Sequence, residues 1–313
     1  MDVEIKKQDG TSFTLSEHGI IVNDFIVEGI EKEDIYKRNN GLHGRFLVDS
    51  TYVKRQIVVP CFFVVDKFSS YQAQRDLLYE IVQSIEPFYI REKRRIEEFN
   101  YQFKDTVSTD YQKKDKFGYP VSSEGNHDNH FVTGKQYKVV LNNVLQPKQN
   151  KRKGNVELVF ETTELPFAES IGHSLNLENG KSLGLWSSDM NISLNENDKR
   201  TYTFENIKKC RFYYYGNVPI DQFNMYSIVE ITIKEKTNNF SWFLTHSKTM
   251  TIKNVTLEPG DIIKYDGLRT YKNGVPIDSE TNLENPIIKP GFNIFEFNQV
   301  VRKVIFKHKF YFK

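Results

Sequence analysis

Two nearby histidines are the residues whose spacing most resembles a metal site. His127 and His130 are separated by two residues, and their imidazoles could supply two ligands to a zinc ion. A complete site needs further cysteine, histidine or carboxylate ligands, and none is arranged at the spacing of a known motif. The pair lies in a polar stretch and is interpreted as two solvated loop residues. The sequence therefore predicts no metal ion and no cofactor.

The two cysteines are expected to be packed rather than reactive. A nucleophilic cysteine needs an accessible thiolate, and burial in apolar surroundings raises the pKa of a thiol. Cys61 lies in the middle of a predicted strand, on its apolar face, and Cys210 lies in an apolar and aromatic run. Both are predicted to be buried free thiols, and no disulfide is expected.

No other pattern indicates catalysis. The sequence has no Gly-rich phosphate loop, no Gly-x-Ser-x-Gly nucleophile elbow and no His-Glu-x-x-His motif. Carboxylates are numerous, but a glycosidase pair is recognised by the distance between two carboxyl groups in space, which a sequence does not give. Because catalytic function must be argued from a site, the sequence predicts that this chain is not an enzyme.

Two tryptophans have faces that suit contact with sugar rings. Trp242 alternates with Phe240 and Leu244, and this pattern predicts a core position on a strand. Trp186 stands in less regular sequence, which leaves a surface role open to it.

Composition and charge exclude several classes of partner. The chain has 313 residues with 43 Lys and Arg against 41 Asp and Glu, a net charge of +2. This balance is too even for binding nucleic acid by phosphate neutralisation. No apolar run is long enough for a membrane span, and the first residues do not form a signal peptide. The basic clusters 93–95 and 151–153 are interpreted as solvated loop charge, with contact to an acidic partner subunit as the alternative.

The most regular stretch of the chain is a long strand followed by a helix. From Val53 to Asp66 the odd positions 57–65 form an unbroken apolar face. Ser69 is predicted to cap a helix whose apolar stripe runs from Tyr71 to Ile85. The helix is expected to cover the strand, with Val59, Cys61 and Phe63 packing under Leu78, Val82 and Ile85.

The rest of the chain predicts a mainly β protein with two domains. Residues 36–46 carry the loop signal Asn39-Asn40-Gly41, and about 92–133 are predicted to be an inserted polar arm or flexible loop. Residues 136–141 and 156–161 are expected to pair as a hairpin. After a polar linker at 172–184, short alternating strands and an Asn273-Gly274 turn predict a β-sandwich. The predicted domains are 1–170 and 171–313.

The order of several motifs resembles the siphophage distal tail protein family, the hub proteins of the tail tip. Each motif is short, and together they span nearly the whole chain. They are the loop Asn40-Gly41-Leu42-His43-Gly44, the strand from Arg55 to Val65, the helix start Ser69–Leu78, the segment from Phe160 to Ser170, the segment Tyr214–Asp221 and the segment Pro290-Gly291-Phe292-Asn293.

This resemblance implies an architecture and a role. The family's N-terminal β-rich belt domain, with one covering α-helix, assembles six copies into a ring, and its C-terminal domain is a galectin-like β-sandwich. The implied function is a structural virion protein at the tail tip or baseplate, assembled in the cytoplasm of the host bacterium. The implied partners are the tail tube protein, the tail-tip protein or tail-associated lysin, and baseplate or receptor-binding proteins.

The polar end of the long strand is expected to be exposed and is the predicted contact between copies in the ring. This hypothesis names Lys54, Arg55 and Gln56. Two other functions remain open from the sequence. One is a receptor- or carbohydrate-binding baseplate component that uses Trp186, and the other is a wall-degrading enzyme of the tail tip.

Overall fold

A computed structural model describes residues 1–95, 131–132, 134–178, 185–192, 196–245, 247–284 and 286–313. The protein is mainly β, with 53% strand and 13% helix, as the sequence predicted. In the described part of the chain, no helix is both long enough and apolar enough to cross a membrane.

Twelve strands form the first sheet in the described residues, and every pairing is antiparallel. They are β1 (Asp2–Lys6), β2 (Ser12–Thr14), β3 (Ile20–Val22), β4 (Ile26–Lys37), β5 (Phe46–Val64), β6 (Phe88–Arg95), β7 (Phe131–Val132), β8 (Lys135–Leu141), β9 (Lys148–Asn150), β10 (Lys153–Thr162), β11 (Ala168–Ser170) and, from the end of the chain, β20 (Tyr311–Phe312). The central order is β2-β1-β6-β8-β10-β5-β3, with β4 beside β5.

Eight further strands of the described residues form the second sheet. They are β12 (Thr203–Tyr214), β13 (Ser227–Ile233), β14 (Thr237–Leu244), β15 (Met250–Leu257), β16 (Ile262–Tyr265), β17 (Thr270–Lys272), β18 (Val275–Pro276) and β19 (Gly291–His308). Their order is β15-β14-β19-β13-β16-β17-β18, and β12 pairs with β19. The helices are α1 (Tyr71–Val82) and α2 (Ser174–Glu178), with 3-10 turns at Leu15–His18, Phe68–Ser70, Ser188–Met190, Asn197–Lys199 and Asp278–Glu280.

Strand β5, with 19 residues, is the longest element in the described part of the chain. The side chains of Ile57, Val59, Cys61 and Phe63 are buried, which confirms the predicted apolar face. The strand begins at Phe46, however, and not at Val53 as predicted. Its first eight residues are all exposed, so no alternation of buried and exposed positions reveals them in the sequence.

Helix α1 lies against the core that β5 helps to build. The ring of Tyr71 packs 5.2 Å from the ring of Phe63, measured between centroids. Leu78 and Val82 are fully buried in the same core.

Both predicted ends of the helix are wrong. Ser69 does not cap it, because a 3-10 turn at Phe68–Ser70 precedes the first helical residue, Tyr71. The helix ends at Val82, and Ile85 beyond it is fully exposed. Ile85 therefore does not pack over β5.

Strands β8 and β10 pair as predicted, with Phe160 opposite Leu141. On its other side β10 pairs with β5, and there Gly154 stands opposite Phe63. A Cβ atom at Gly154 would lie only 2.4 Å from the Phe63 ring, so only glycine fits at this position.

The second sheet confirms the alternation that predicted it. Phe240, Trp242 and Leu244 on β14 are all buried. The predicted Asn273-Gly274 turn joins β17 and β18, and both residues have positive φ angles, +48° and +84°.

The end of the chain connects the two sheets. Strand β19 of the second sheet ends at His308. Two residues separate it from β20, which pairs with β11 of the first sheet. The Ser170 hydroxyl donates to the Gly172 carbonyl at 2.6 Å and accepts from the Phe310 amide at 2.9 Å. Lys309 forms an ion pair with Glu169 at 2.6 Å. The domain division at 170/171 remains a prediction.

The basic clusters differ from the sequence interpretation in part. Lys93 lies on β6 and forms an ion pair with Glu4 at 2.7 Å, so the loop interpretation is wrong for this residue. Strands β6 and β7 pair at the base of the predicted polar arm. Residues 96–130, with His127 and His130, lie outside the described residues, and the arm remains a prediction.

Candidate assembly interface

A two-stranded ribbon extends the first sheet on one side. We use the name assembly ribbon for residues 31–53, which comprise the end of β4, the turn at 38–45 and the start of β5. The last β5 residue that pairs with β10 is Gln56, so residues 46–55 pair with β4 alone. Eight residues of β5 from Phe46 to Val53 span about 26 Å at roughly 3.3 Å per residue.

The assembly ribbon is unusually apolar for an exposed hairpin. Eight of its large hydrophobic side chains are exposed, from 41% for Tyr36 to 61% for Val48. Isolated two-stranded hairpins are marginally stable in water, and many exposed apolar side chains in one element often mark an interaction site. The surface is therefore a candidate for contact with another molecule. The exposed residues are Ile35, Tyr36, Leu42, Phe46, Leu47, Val48, Tyr52 and Val53.

Polar contacts within the assembly ribbon keep its two strands in register. Lys32 forms an ion pair with Asp34 at 2.9 Å, and the Ser50 hydroxyl donates to the same carboxylate at 2.7 Å. Both contacts lower the pKa of Asp34, and the hydrogen bond from Ser50 has the larger effect. The guanidinium of Arg45 stacks over the Tyr36 ring at 3.6 Å.

The backbone of the assembly ribbon also offers unpaired edges. In the described residues, β4 pairs only with β5, and β5 has no other neighbour before Gln56. An open strand edge presents a row of unpaired backbone donors and acceptors, which favours pairing with another chain. Register shifts at three places along the pair, of the kind that β-bulges produce, increase its twist.

The three predicted ring-contact residues lie at the root of the assembly ribbon. Lys54 forms ion pairs with Glu161 at 2.9 Å and Glu31 at 3.8 Å, and its bond to Glu161 raises its pKa. Gln56 stands opposite Glu161 on β10. A contact between copies at Lys54, Arg55 and Gln56 remains a prediction.

Arg55 is buried, so the expected exposure of this residue is wrong. Its side chain lies on the core face of β5, and its amide donates to the Thr162 hydroxyl at 2.9 Å. The sequence predicts a loop at residues 36–46 and does not predict the exposed strands on either side, which end at Lys37 and begin at Phe46. The signal that could have found them is the Asn-Gly turn with Ile35 and Tyr36 before it and Phe46 to Val48 after it.

The other sequence candidates are buried or already packed. Desolvation by burial raises the pKa of both Cys61 and Cys210 to about 12, as expected for core thiols. Trp186 is partly buried against Phe310, with a centroid distance of 5.8 Å. Among the described residues, no group of three or more His, Cys, Asp or Glu side chains is placed to hold a metal ion.

A small cleft of about 170 Å³ lies where the chain end meets the first sheet. Its charged groups are paired with one another, Lys138 with Glu164 at 2.5 Å and Lys309 with Glu169 at 2.6 Å. These pairs serve the junction between the sheets and leave no charge for a ligand to neutralise.

Comparisons with known proteins match this fold to phage tails. The chain aligns with the crystal structure of SPP1 Dit (gp 19.1), a paradigm of the hub adsorption apparatus in phages that infect Gram-positive bacteria. The TM-score is 0.60 at 10% identity, over 98% of this chain and 99% of that one. A chain of the phage P2 baseplate in its calcium-activated conformation aligns over 99% of this chain, but its TM-score of 0.34 at 10% identity is too low for an argument. Comparison with curated proteins found no match.

A family model covers most of the first sheet. Residues 8–162 match the phage tail protein RIFT-related domain, and this range contains α1 and the whole assembly ribbon. The structural match to a distal tail hub extends over both sheets. Residues 8–162 therefore carry a phage tail protein RIFT-related domain, and the chain has a fold similar to that of SPP1 Dit, in agreement with the sequence resemblance to siphophage distal tail proteins.

Proposed function

We propose that this chain is a structural virion protein, a distal tail hub that forms a hexameric ring at the tail tip of a siphophage. The ring joins the tail tube protein to the tail-tip and baseplate proteins, and the chain has no enzymatic role. The observation that carries this proposal is the assembly ribbon, an exposed apolar hairpin within the phage tail domain. The fold match to a hub protein over the full chain supports the same role.

The shape of the assembly ribbon favours a ring over a symmetric dimer. The ribbon extends one side of the first sheet, and we propose that a neighbour receives it on a different surface. Contacts between two different surfaces are head-to-tail, and they close into a ring when the rotation between copies allows it. Six copies are what the resemblance to distal tail proteins implies.

Negative-stain electron microscopy of the purified full chain tests the ring directly. Six-fold rings with a central channel are expected at high protein concentration. A matched pair of variants then tests the role of the assembly ribbon. Phe46→Asp with Val48→Asp should abolish the rings, whereas Val275→Asp with Leu268→Asp, at equally exposed positions outside the first sheet, should retain them. Monomers of the wild-type chain, both alone and with its tail tube protein, would refute the ring.

A receptor- or carbohydrate-binding role has less support. The residue proposed for it, Trp186, packs against Phe310 and stacks over Gly172, whose added Cβ would lie 2.8 Å from the indole. No other observation favours a sugar site, so we propose the structural role alone.

A further inference from the structure

Three asparagines of the sequence, Asn40, Asn179 and Asn273, are each followed by glycine. This pair is prone to deamidation, because glycine has no side chain to shield its backbone amide from the preceding asparagine. Asn179 lies outside the described residues. The other two asparagines occupy turns, Asn40 in the assembly ribbon and Asn273 between β17 and β18. Their surroundings differ in the features that control this reaction.

We infer that Asn40 is a site of spontaneous deamidation and that the fold protects Asn273 from the same reaction. This inference does not depend on the proposed ring. The backbone nitrogen of Gly41 loses its proton to the solvent and attacks the Cγ atom of Asn40. The new N–Cγ bond closes a cyclic succinimide, the Cγ–Nδ2 bond breaks, and Nδ2 takes up a proton and leaves as ammonia. Water then hydrolyses either carbonyl of the succinimide, which gives aspartate or isoaspartate at position 40.

The turn of the assembly ribbon leaves Asn40 open to this attack. Asn40 is exposed, and its side chain has no hydrogen-bond partner in the described part of the chain. Inside the turn, the Leu42 amide donates to the Asn39 carbonyl at 3.4 Å, which is longer than most bonds of this kind. A Cβ atom placed on Gly41 would meet nothing within 4 Å, so the space around its amide is open. The Asn40 side chain can therefore approach the Gly41 amide without breaking a strong contact.

The charges around the ribbon turn favour the reaction as well. Lys37, Arg38 and Arg45 flank Asn40, and none of them forms an ion pair among the described residues. Residues 35–48 contain no Asp or Glu. Nearby positive charge favours the anionic form of a group. The three cations therefore stabilise the deprotonated amide during the attack and the carboxylate that the reaction leaves at position 40.

Asn273 is held in a geometry that opposes the same attack. Its Oδ1 atom accepts a hydrogen bond from the Ile262 amide at 2.8 Å, and its Nδ2 atom donates to the Asp261 carboxylate at 2.8 Å. The strands on either side are paired, with Lys272 opposite Val275. Deamidation requires the side chain to leave both partners and the backbone to rotate towards the Gly274 nitrogen. The hairpin ladder resists that rotation.

Peptide mass spectrometry of the full chain, aged in mildly alkaline buffer, tests this inference. Fragment ions locate each replacement of a side-chain NH2 group by OH. Asn40 should convert at least about tenfold faster than Asn273, which corresponds to about 1.4 kcal/mol of activation free energy and is of the order expected for two lost hydrogen bonds. The neutral variant Phe46→Ser with Val48→Ser should show the same preference, because its turn stays accessible whether or not wild-type copies associate.

Guanidinium chloride provides the control, since both asparagines then have only the following glycine in common and no tertiary contacts. Their rates should converge in the unfolded chain. In the folded chain, Asp261→Ala should raise the rate at Asn273 and leave the rate at Asn40 unchanged. The inference is wrong if Asn273 converts as fast as Asn40 in the folded chain, if Asn40 does not convert in either folded form, or if the difference persists in guanidinium chloride. An unchanged rate at Asn273 in Asp261→Ala would refute the protection by hydrogen bonding. None of these results depends on whether rings form.

Discussion

The buried histidine at the end of β19 predicts that acid weakens this protein. His308 is 1% exposed, and four aromatic rings surround it at centroid distances of 5.3 to 5.5 Å. Neither ring nitrogen has a hydrogen-bond partner in the described part of the chain. Burial, as the larger cause, and the nearby His173 together lower the pKa of His308 from 6.5 to about 3. The imidazole is therefore held neutral in the folded state.

The sign and size of the effect follow from this difference in pKa. Between pH 6.5 and about 3, the unfolded chain binds a proton at this histidine that the folded chain does not bind. The stability that the neutral His308 contributes is thus fully present above pH 6.5. As the pH falls below that value, the free energy of unfolding decreases by about 1.4 kcal/mol per pH unit. From pH 7 to pH 5 the free energy of unfolding should fall by about 2 kcal/mol, a large part of the stability of a typical domain.

Urea unfolding at pH 7 and pH 5 measures this loss. The fluorescence of Trp242, which is buried on the neighbouring strand β14, reports the unfolding of the second sheet. Between pH 7 and pH 5, the free energy of unfolding of the His308→Phe variant should fall by about 2 kcal/mol less than that of the wild-type chain, whatever the stability of the variant at pH 7. The exposed His43 in the turn of the assembly ribbon provides the control, and His43→Gln should behave like wild type. Equal pH dependence in His308→Phe and the wild-type chain would refute the reasoning.

Four further substitutions test the packing and can be followed by the same urea unfolding. Ser170→Ala should cost about 2–4 kcal/mol, because it leaves the buried amide of Phe310 and the buried carbonyl of Gly172 without the Ser170 hydroxyl as partner. A loss under about 0.5 kcal/mol would contradict this. Gly154→Ala should cost about 1–3 kcal/mol because its methyl group overlaps the Phe63 ring, and a neutral result would show that the ring can move. Leu78→Ala should cost about 2–5 kcal/mol, whereas Ile85→Ala should change the free energy of unfolding by less than about 0.5 kcal/mol. Similar losses in the two variants would show that Ile85 packs against the core, as the predicted longer helix required.

The sequence by itself determined which faces of the regular strands are buried. Successive side chains of a strand point to opposite sides, so alternation alone placed Cys61 and Trp242 in the core. The Asn273-Gly274 turn was equally predictable, because both residues tolerate the positive φ angles that a tight hairpin requires. Such features depend on a few neighbouring residues, and the sequence shows those directly.

Only the tertiary structure decided where the exposed surfaces lie. The assembly ribbon has no buried face, so its strands leave no alternating pattern, and the exposed part of β5 was placed at Lys54 to Gln56 instead. Arg55 is polar yet buried, because its side chain lies on the core face of β5 and its amide bonds to the Thr162 hydroxyl of β10. Ile85 is apolar yet exposed, because the helix ends three residues earlier. The exposure of a residue depends on which distant segments of the chain cover it. For β5 these segments are β4 and β10, and they come together only in the folded chain.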